Sequence, residues 1–133
     1  MPEISCAPDI TKLEIPIDSW TKPFWDGADK GKLLLPRCAA CHRFRWPPGP
    51  FCPHCQSQET EWLSAGRGLI YSFTILREDA SIHVPALIEF PECDGVRLVA
   101  AIVDTPLDAI HIGAEVRLAW SQAANAIVPV FTI

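Results

Sequence analysis

The rhythm of apolar and polar positions changes at Gly66, and from there the chain reads as strands. GRGLIYSFTILRE (66–78) is rich in β-branched and aromatic residues, with Leu69, Tyr71, Phe73 and Ile75 at period two. That repeat sends alternate side chains to one face of a strand. VPALIEF (84–90) and GVRLVAAIV (95–103) follow, separated by the turn-rich PECDG. PLDAI (106–110) predicts a brief helical turn, IGAEVRLAW (112–120) a fourth strand and AIVPVFTI (126–133) a fifth. Five strands with one small helical element between the third and fourth match an OB-fold barrel, and a five-stranded sandwich shares the pattern. Tyr71, Phe73, Phe90, Trp120 and Phe131 fall on strand positions that predict a core. Pro129 has no N–H for a ladder, which predicts an edge or a barrel seam there.

Ahead of Gly66 the pattern is different. Residues 1–17 are broken by prolines and predict an irregular, wandering arm. SWTKPFWDGADKGK (19–32) predicts a short helix, with Pro23 in its first turn, Phe24 and Trp25 on its apolar side and Gly31 placed to stop it. Residues 33–65 hold most of the cysteines. LLLPRC and HRFRWPP each read as a short extended arm beside a CxxC. The expected organisation is therefore mainly β: an arm and helix over 1–32, a metal ribbon over 33–65 and an OB-fold over 66–133.

The candidate chemistry lies in CAACHRFRWPPGPFCPHC (38–55), where two CxxC pairs stand ten residues apart. One tight turn of this kind delivers two sulfurs to a metal, and two facing turns complete a tetrahedron. Cys38, Cys41, Cys52 and Cys55 are the candidate ligands, and zinc (Zn2+) is the expected cofactor. A rubredoxin-like iron site uses similar knuckles, and spacing alone does not separate the two metals. The spacer is long enough for a strand out, a turn at Pro47-Pro48-Gly49-Pro50 and a return. Thioredoxin-like redox chemistry needs a CxxC at a helix N-terminus, and the surrounding prolines deny the helix. His42 and His54 are alternative ligands, read here as solvent-facing loop residues. Four thiolates leave no open position for water or substrate, so the metal is expected to be structural. About 30 residues bury too little apolar area to fold alone, and a structural zinc supplies roughly 10 kcal/mol or more.

Composition and charge narrow the function. The 133 residues are 49% hydrophobic and 20% charged, in the range of a globular chain. No apolar run reaches a membrane span. The N-terminal stretch lacks the apolar region of a secretory signal, so a soluble cytoplasmic protein is expected. In a reducing compartment paired CxxC motifs bind metal or catalyse rather than form disulfides. Cys6 and Cys93 are left as free thiols, on the arm and near a turn.

The net charge is −5, and from residue 66 onward four arginines face eight acids with no lysine. That balance argues against the single-stranded nucleic-acid-binding OB-fold reading, which needs a basic groove. Arg37, Arg43 and Arg45 are read as partly balancing the thiolates. A Cys93 nucleophile with His83 or His111 is demanded by no spacing, and no other catalytic motif is present. Three apolar features point to an accessory or binding subunit instead: Trp20, Phe24 and Trp25; Phe44 and Trp46; and the uncharged SQAANAIVPVFTI. Packing within the chain is the competing account of each.

The order of motifs is itself distinctive. PFWDGADKGKLLLPRCAACHRFRWPPGPFCPHCQS, EWLSAGRGLIYSFTILRE, VPALIEF, GVRLVAAIVD and IGAEVRL resemble the zinc-ribbon plus OB-fold family long catalogued as a domain of unknown function, from about Trp20 to Trp120. The resemblance implies an N-terminal helix, a rubredoxin-like zinc ribbon and a C-terminal OB barrel. It also implies a non-catalytic partner of thiolase-superfamily enzymes (acyltransferases, thiolases or steroid side-chain aldolases), with acyl-CoA as a candidate ligand. Of the family's site residues, Cys38, Cys41, Cys52 and Cys55 carry over. A ligand-facing or partner-facing role for Arg45, Trp46 or the barrel's open face does not follow from it. A homo-oligomer is left open.

Overall fold

A computed structural model describes residues 3–133. Its helix α1 spans Lys22–Asp29. Asp18 and Thr21 exchange hydrogen bonds just ahead of it, the Thr21 amide donating to Asp18 Oδ1 at 2.8 Å and the Asp18 amide to Thr21 Oγ1 at 3.2 Å. Pro23 sits in the first turn, where a missing N–H costs nothing. At the other end Gly31 takes φ +71°, and the Gly31 and Lys32 amides close back onto Ala28 and Gly27 carbonyls. Phe24, Gly27 and Ala28 form the buried side.

The ribbon is built on β1 (Leu34–Cys38) and β2 (Thr60–Ser64), antiparallel with Cys38 opposite Thr60 and Leu34 opposite Ser64. This corrects the expected spacer hairpin. The strand partner of β1 arrives after the second CxxC, and within the spacer only Phe44 bridges back, to Arg37. Three prolines in 47–50 leave few amide donors for a returning strand.

Six further strands complete the fold: β3 (Gly68–Phe73), β4 (Leu76–Glu78), β5 (Ser81–Phe90), β6 (Val96–Ile102), β7 (Glu115–Gln122) and β8 (Ile127–Thr132). β3 pairs with both β5 and β7, β5 with β6, β6 with β8 and β8 with β7. That circuit closes a five-stranded OB barrel and sets aside the sandwich. β4 is an extra edge strand on β5, so the predicted 66–78 strand is in fact two. The element between β6 and β7 is a single 3-10 turn, Leu107–Ala109. β6 and β8 pair only at Ile102 and Phe131, in parallel. Pro129 lies on β8 in the stretch before that pairing, opposite Trp120 of β7, at the seam.

On β5 the alternation is regular, with Val84, Ala86, Ile88 and Phe90 buried. On β3 it is not. Ile70 pairs with Ile88 but Ser72 pairs with Leu87, a bulge that leaves Tyr71 as the extra residue. Ile70 therefore points inward and Tyr71 outward, against the period-two expectation, and Phe73 returns to the packed side. Outside, Tyr71 lies under the Arg97 guanidinium at 3.5 Å.

The arm is irregular but stitched to the barrel rather than wandering. The Ser5 amide donates to Thr105 O, Asp104 N to Ser5 O, Cys6 N to Ile82 O and Ala124 N to Leu13 O. Asn125 clamps both backbone groups of Ile15. The three apolar features read from the sequence largely pack on one another and on the core. Phe24 is 3% exposed, with Trp25 and Trp46 rings at 4.9 and 5.0 Å, and Val130 and Phe131 of the C-terminal stretch are buried. Among Trp20, Phe24, Trp25, Phe44 and Trp46, Trp20 alone stays open, at 49%. No helix among the described residues is long and apolar enough to cross a membrane.

Candidate metal centre

The last residue of β1 is Cys38, fully buried, and from it the chain enters the first of two nearly identical turns. In the first, the Cys38 amide donates to Arg43 O and the His42 amide to Cys38 O. In the second, fourteen residues on, Cys52 N donates to Ser57 O and Gln56 N to Cys52 O. His42 and Gln56 both adopt φ +64°, a conformation that favours glycine. Nothing in the residue types at 42 and 56 signals it, so this left-handed residue in each knuckle is invisible in the sequence. Each turn also aims an amide at sulfur: Cys41 N donates to Cys38 Sγ at 3.5 Å and His54 N to Cys52 Sγ at 3.4 Å.

The two turns face each other and bring all four predicted sulfurs within 4.8 Å of one another. Cys38 Sγ and Cys55 Sγ are 3.5 Å apart, and Cys41 Sγ and Cys52 Sγ 3.6 Å. A tetrahedron with metal–sulfur bonds of about 2.3 Å has sulfurs about 3.8 Å apart, so the donors fit a four-coordinate ion with little movement. Cys38 and Cys52 are buried and Cys55 is exposed, which leaves one side of the centre at the surface.

Electrostatics point the same way. The Cys41 amide, opposed by burial, leads in pulling the Cys38 thiol down to about 6. The Cys55 amide does the same for Cys52, which is also lowered. At Cys41 the Arg43 amide pulls downward, but burial and the sulfurs of Cys52, Cys38 and Cys55 outweigh it and push the thiol up to about 11. Four thiols in one small space cannot all ionise unaided. A cation is what would bring the remaining ones to the thiolate form.

His42 and His54 stay outside this cluster. His42 Nδ1 is 3.7 Å from a Glu61 carboxylate oxygen, and His54 Nδ1 accepts from Arg43 at 2.8 Å. Arg37 is held by Glu61 at 2.6 Å. Arg45 is 9% exposed, with one nitrogen donating to Thr60 Oγ1 at 2.8 Å and to Gly49 O at 3.3 Å. Its Nε and other terminal nitrogen have no acceptor.

The remaining cysteines do not form the nucleophile drawn from the sequence. Cys93 is buried and donates to Ala65 O at 3.3 Å. Burial first, then the charges of Glu92 and Asp94, push its thiol up to about 11, away from a reactive thiolate. His83 instead faces Cys6, Nδ1 to Sγ at 3.8 Å, and the exposed His111 contacts Ile112 O.

A knuckle-bearing ribbon on a closed five-stranded barrel defines a zinc-ribbon/OB-fold protein. The ChsH2 rubredoxin-like zinc ribbon domain matches residues 25–61 and the ChsH2 C-terminal OB-fold domain residues 63–121. The chain belongs to this ChsH2 family, also designated DUF35, and zinc is the ribbon's cofactor. It is similar to a chain in the structure described as the Ltp2-ChsH2(DUF35) aldolase, at 34% identity and TM-score 0.79, over 90% of this chain and 98% of that one. A DUF35 protein of unknown function from Sulfolobus solfataricus shares the fold, at 19% identity and TM-score 0.65, over 88% of this chain and 85% of that one. A probable enoyl-CoA hydratase alpha subunit of Thermomonospora curvata is 39% identical over 116 residues, 81% of this chain. The chain spans 36% of that relative's length.

Proposed function

We propose that Cys38, Cys41, Cys52 and Cys55 hold one structural zinc, and that the protein is a non-catalytic accessory subunit of a thiolase-superfamily acyl-CoA enzyme. The observation that carries the reading is the likeness, over 98% of its length, to a ChsH2 chain whose structure is described together with Ltp2 as an aldolase. The hydratase-subunit relative supports it, since its name combines a CoA thioester reaction with membership of a multi-subunit enzyme. A closed tetrathiolate offers a substrate no coordination position, so the metal's part is to hold the ribbon. The units proposed are the arm and helix over 1–32, the ribbon over 33–65 and the OB-fold over 66–133. Surface for a partner remains in Trp20, Phe51, Val99 and Ile112, all large apolar residues left open. Four ligating thiols and two further free ones suit a reducing cytoplasm.

The experiment is co-expression with candidate thiolase-superfamily proteins from the same organism. A stable complex, with aldolase, thiolase or acyltransferase turnover that neither subunit shows alone, is expected. Two proteins that elute apart and a partner fully active by itself would overturn the reading. Titration with single-stranded DNA at physiological salt is expected to show no binding. On the barrel, a face of the exposed Tyr71 ring is already occupied by Arg97, itself held by Glu89 at 3.1 Å, so a base would have to displace that guanidinium to stack there.

A further inference from the structure

We infer that Arg45 is the internal counter-charge of the metal centre, a positioning residue that stabilises the tetrathiolate through the ribbon; the inference rests on the ligand set proposed above. Arginine stays protonated in a protein interior, and a buried charge without an opposite charge is costly. Arg45 is buried, yet among the described residues no carboxylate lies within ion-pairing distance and no aromatic ring lies under its guanidinium. Its Nε and one terminal nitrogen are sealed from solvent as well as unpaired. A carboxylate brought by a partner or a small ligand therefore cannot reach them, and the compensating anion has to be internal.

The ribbon supplies one. Zinc with four thiolates carries a net charge of −2. Cys38 stands opposite Thr60 in the β1–β2 ladder, and directly opposed residues project from the same face of a sheet. Thr60 Oγ1 accepts from Arg45 at 2.8 Å on that face. Arg45 is further fixed by its backbone amide on Pro36 O, two residues before Cys38. Arg37 and Glu61, the neighbouring pair, fall on the opposite face and neutralise each other. Arg43 is turned to His54. Of the three ribbon arginines, Arg45 is thus the one both buried and unengaged by another ionisable group. In a poorly polarisable interior such a charge acts over a longer range than at the surface, and salt does little to screen it.

The test is competition for zinc between the full-length protein and a chromophoric chelator, with Arg45→Met, Arg45→Gln and Arg45→Lys beside the wild type. The neutral variants are expected to bind zinc at least about tenfold more weakly at both low and high salt, because a buried interaction is screened little. Arg45→Lys, which keeps the charge, is expected to stay within that factor. Arg45→Gln keeps an amide for Thr60 and Gly49, so it carries the comparison if Arg45→Met does not fold. Iron substitution gives a second readout. Losing a nearby positive charge disfavours the more negative ferrous centre, and a tenfold differential lowers the midpoint by about 59 mV for one electron. Neutral variants with unchanged zinc affinity and unchanged midpoint would overturn the inference, as would a tenfold loss in Arg45→Lys. A wild-type chain that binds no metal would instead overturn the ligand assignment on which it rests.

Discussion

Replacing Cys38 by serine tests how the ribbon stands up. Cys38 is fully buried at the end of β1, accepts the Cys41 amide and lies 3.5 Å from Cys55 Sγ. A serine hydroxyl remains protonated and is no substitute for a thiolate. Structural zinc contributes roughly 10–16 kcal/mol of apparent binding energy, so one sulfur in four represents about 3 kcal/mol. At about 1.4 kcal/mol per factor of ten, that is a loss of roughly 100-fold in affinity. The knuckle backbone cannot make up the difference. Four amide–carbonyl bonds close the two turns, each worth about 1 kcal/mol net. Holding residues 38–57 in place costs about 1–2 kcal/mol per residue. The base of the ribbon should behave differently, because Leu33, Leu35 and Ala65 belong to the same core cluster as Ile70 and Ile88. Amide hydrogen exchange on Cys38→Ser is therefore expected to lose protection at His42, Cys52 and Gln56 while Ile70 and Ile88 keep theirs, with zinc content falling well below one per chain. Wild-type protection in the knuckles together with a full complement of zinc would refute the reasoning.

Other outcomes follow from the same structure. Ile88→Ala removes a fully buried side chain at the barrel centre and is expected to cost about 2–5 kcal/mol in denaturant titration. Val99→Ser, at a position 73% exposed, is expected to change stability by about 0.5 kcal/mol or less. A Cβ at Gly68 would meet Ile88 Cγ2 at 2.9 Å, with Phe90 and Val116 at 3.2 Å, so Gly68→Ala is expected to cost about 1–3 kcal/mol in the same titration. The Cys93 thiol is raised from 9.0 to about 11, so the folded state holds its proton more tightly than the unfolded chain. Its contribution is fully present below pH 9 and is lost as pH rises through about 11. Urea midpoints measured across that window should fall in the wild type and stay flatter in Cys93→Ala.

The zinc ribbon was legible because its chemistry is local. Each CxxC is one turn of chain, and the spacing alone names Cys38, Cys41, Cys52 and Cys55, which the fold then brings together. The helix was legible for a similar reason, through Pro23 at its start and Gly31 at its end. Strand content also shows in the sequence, since β5 and β6 need only alternating or continuous apolar residues. Partner choice and face choice did not show. Leu69, Ile70 and Tyr71 are all apolar, and only the bulge against β5 decides which of them enters the core. Trp20, Phe24 and Trp25 read as one apolar cluster in the sequence, yet Phe24 became core and Trp20 stayed at the surface.

By itself, then, the amino-acid order determined the proposed metal donors, the helix limits and the approximate strands, because each depends on residues a few positions apart. The tertiary structure alone decided the barrel closure, which needs β3 to meet β7 and β6 to meet β8 across long stretches of chain. It also decided that β1 takes β2 rather than the spacer as its partner, that the arm lies stitched along the barrel and that Arg45 is sealed inside. Those outcomes depend on burial and on hydrogen-bond partners distant in sequence, and a one-dimensional pattern carries no record of either.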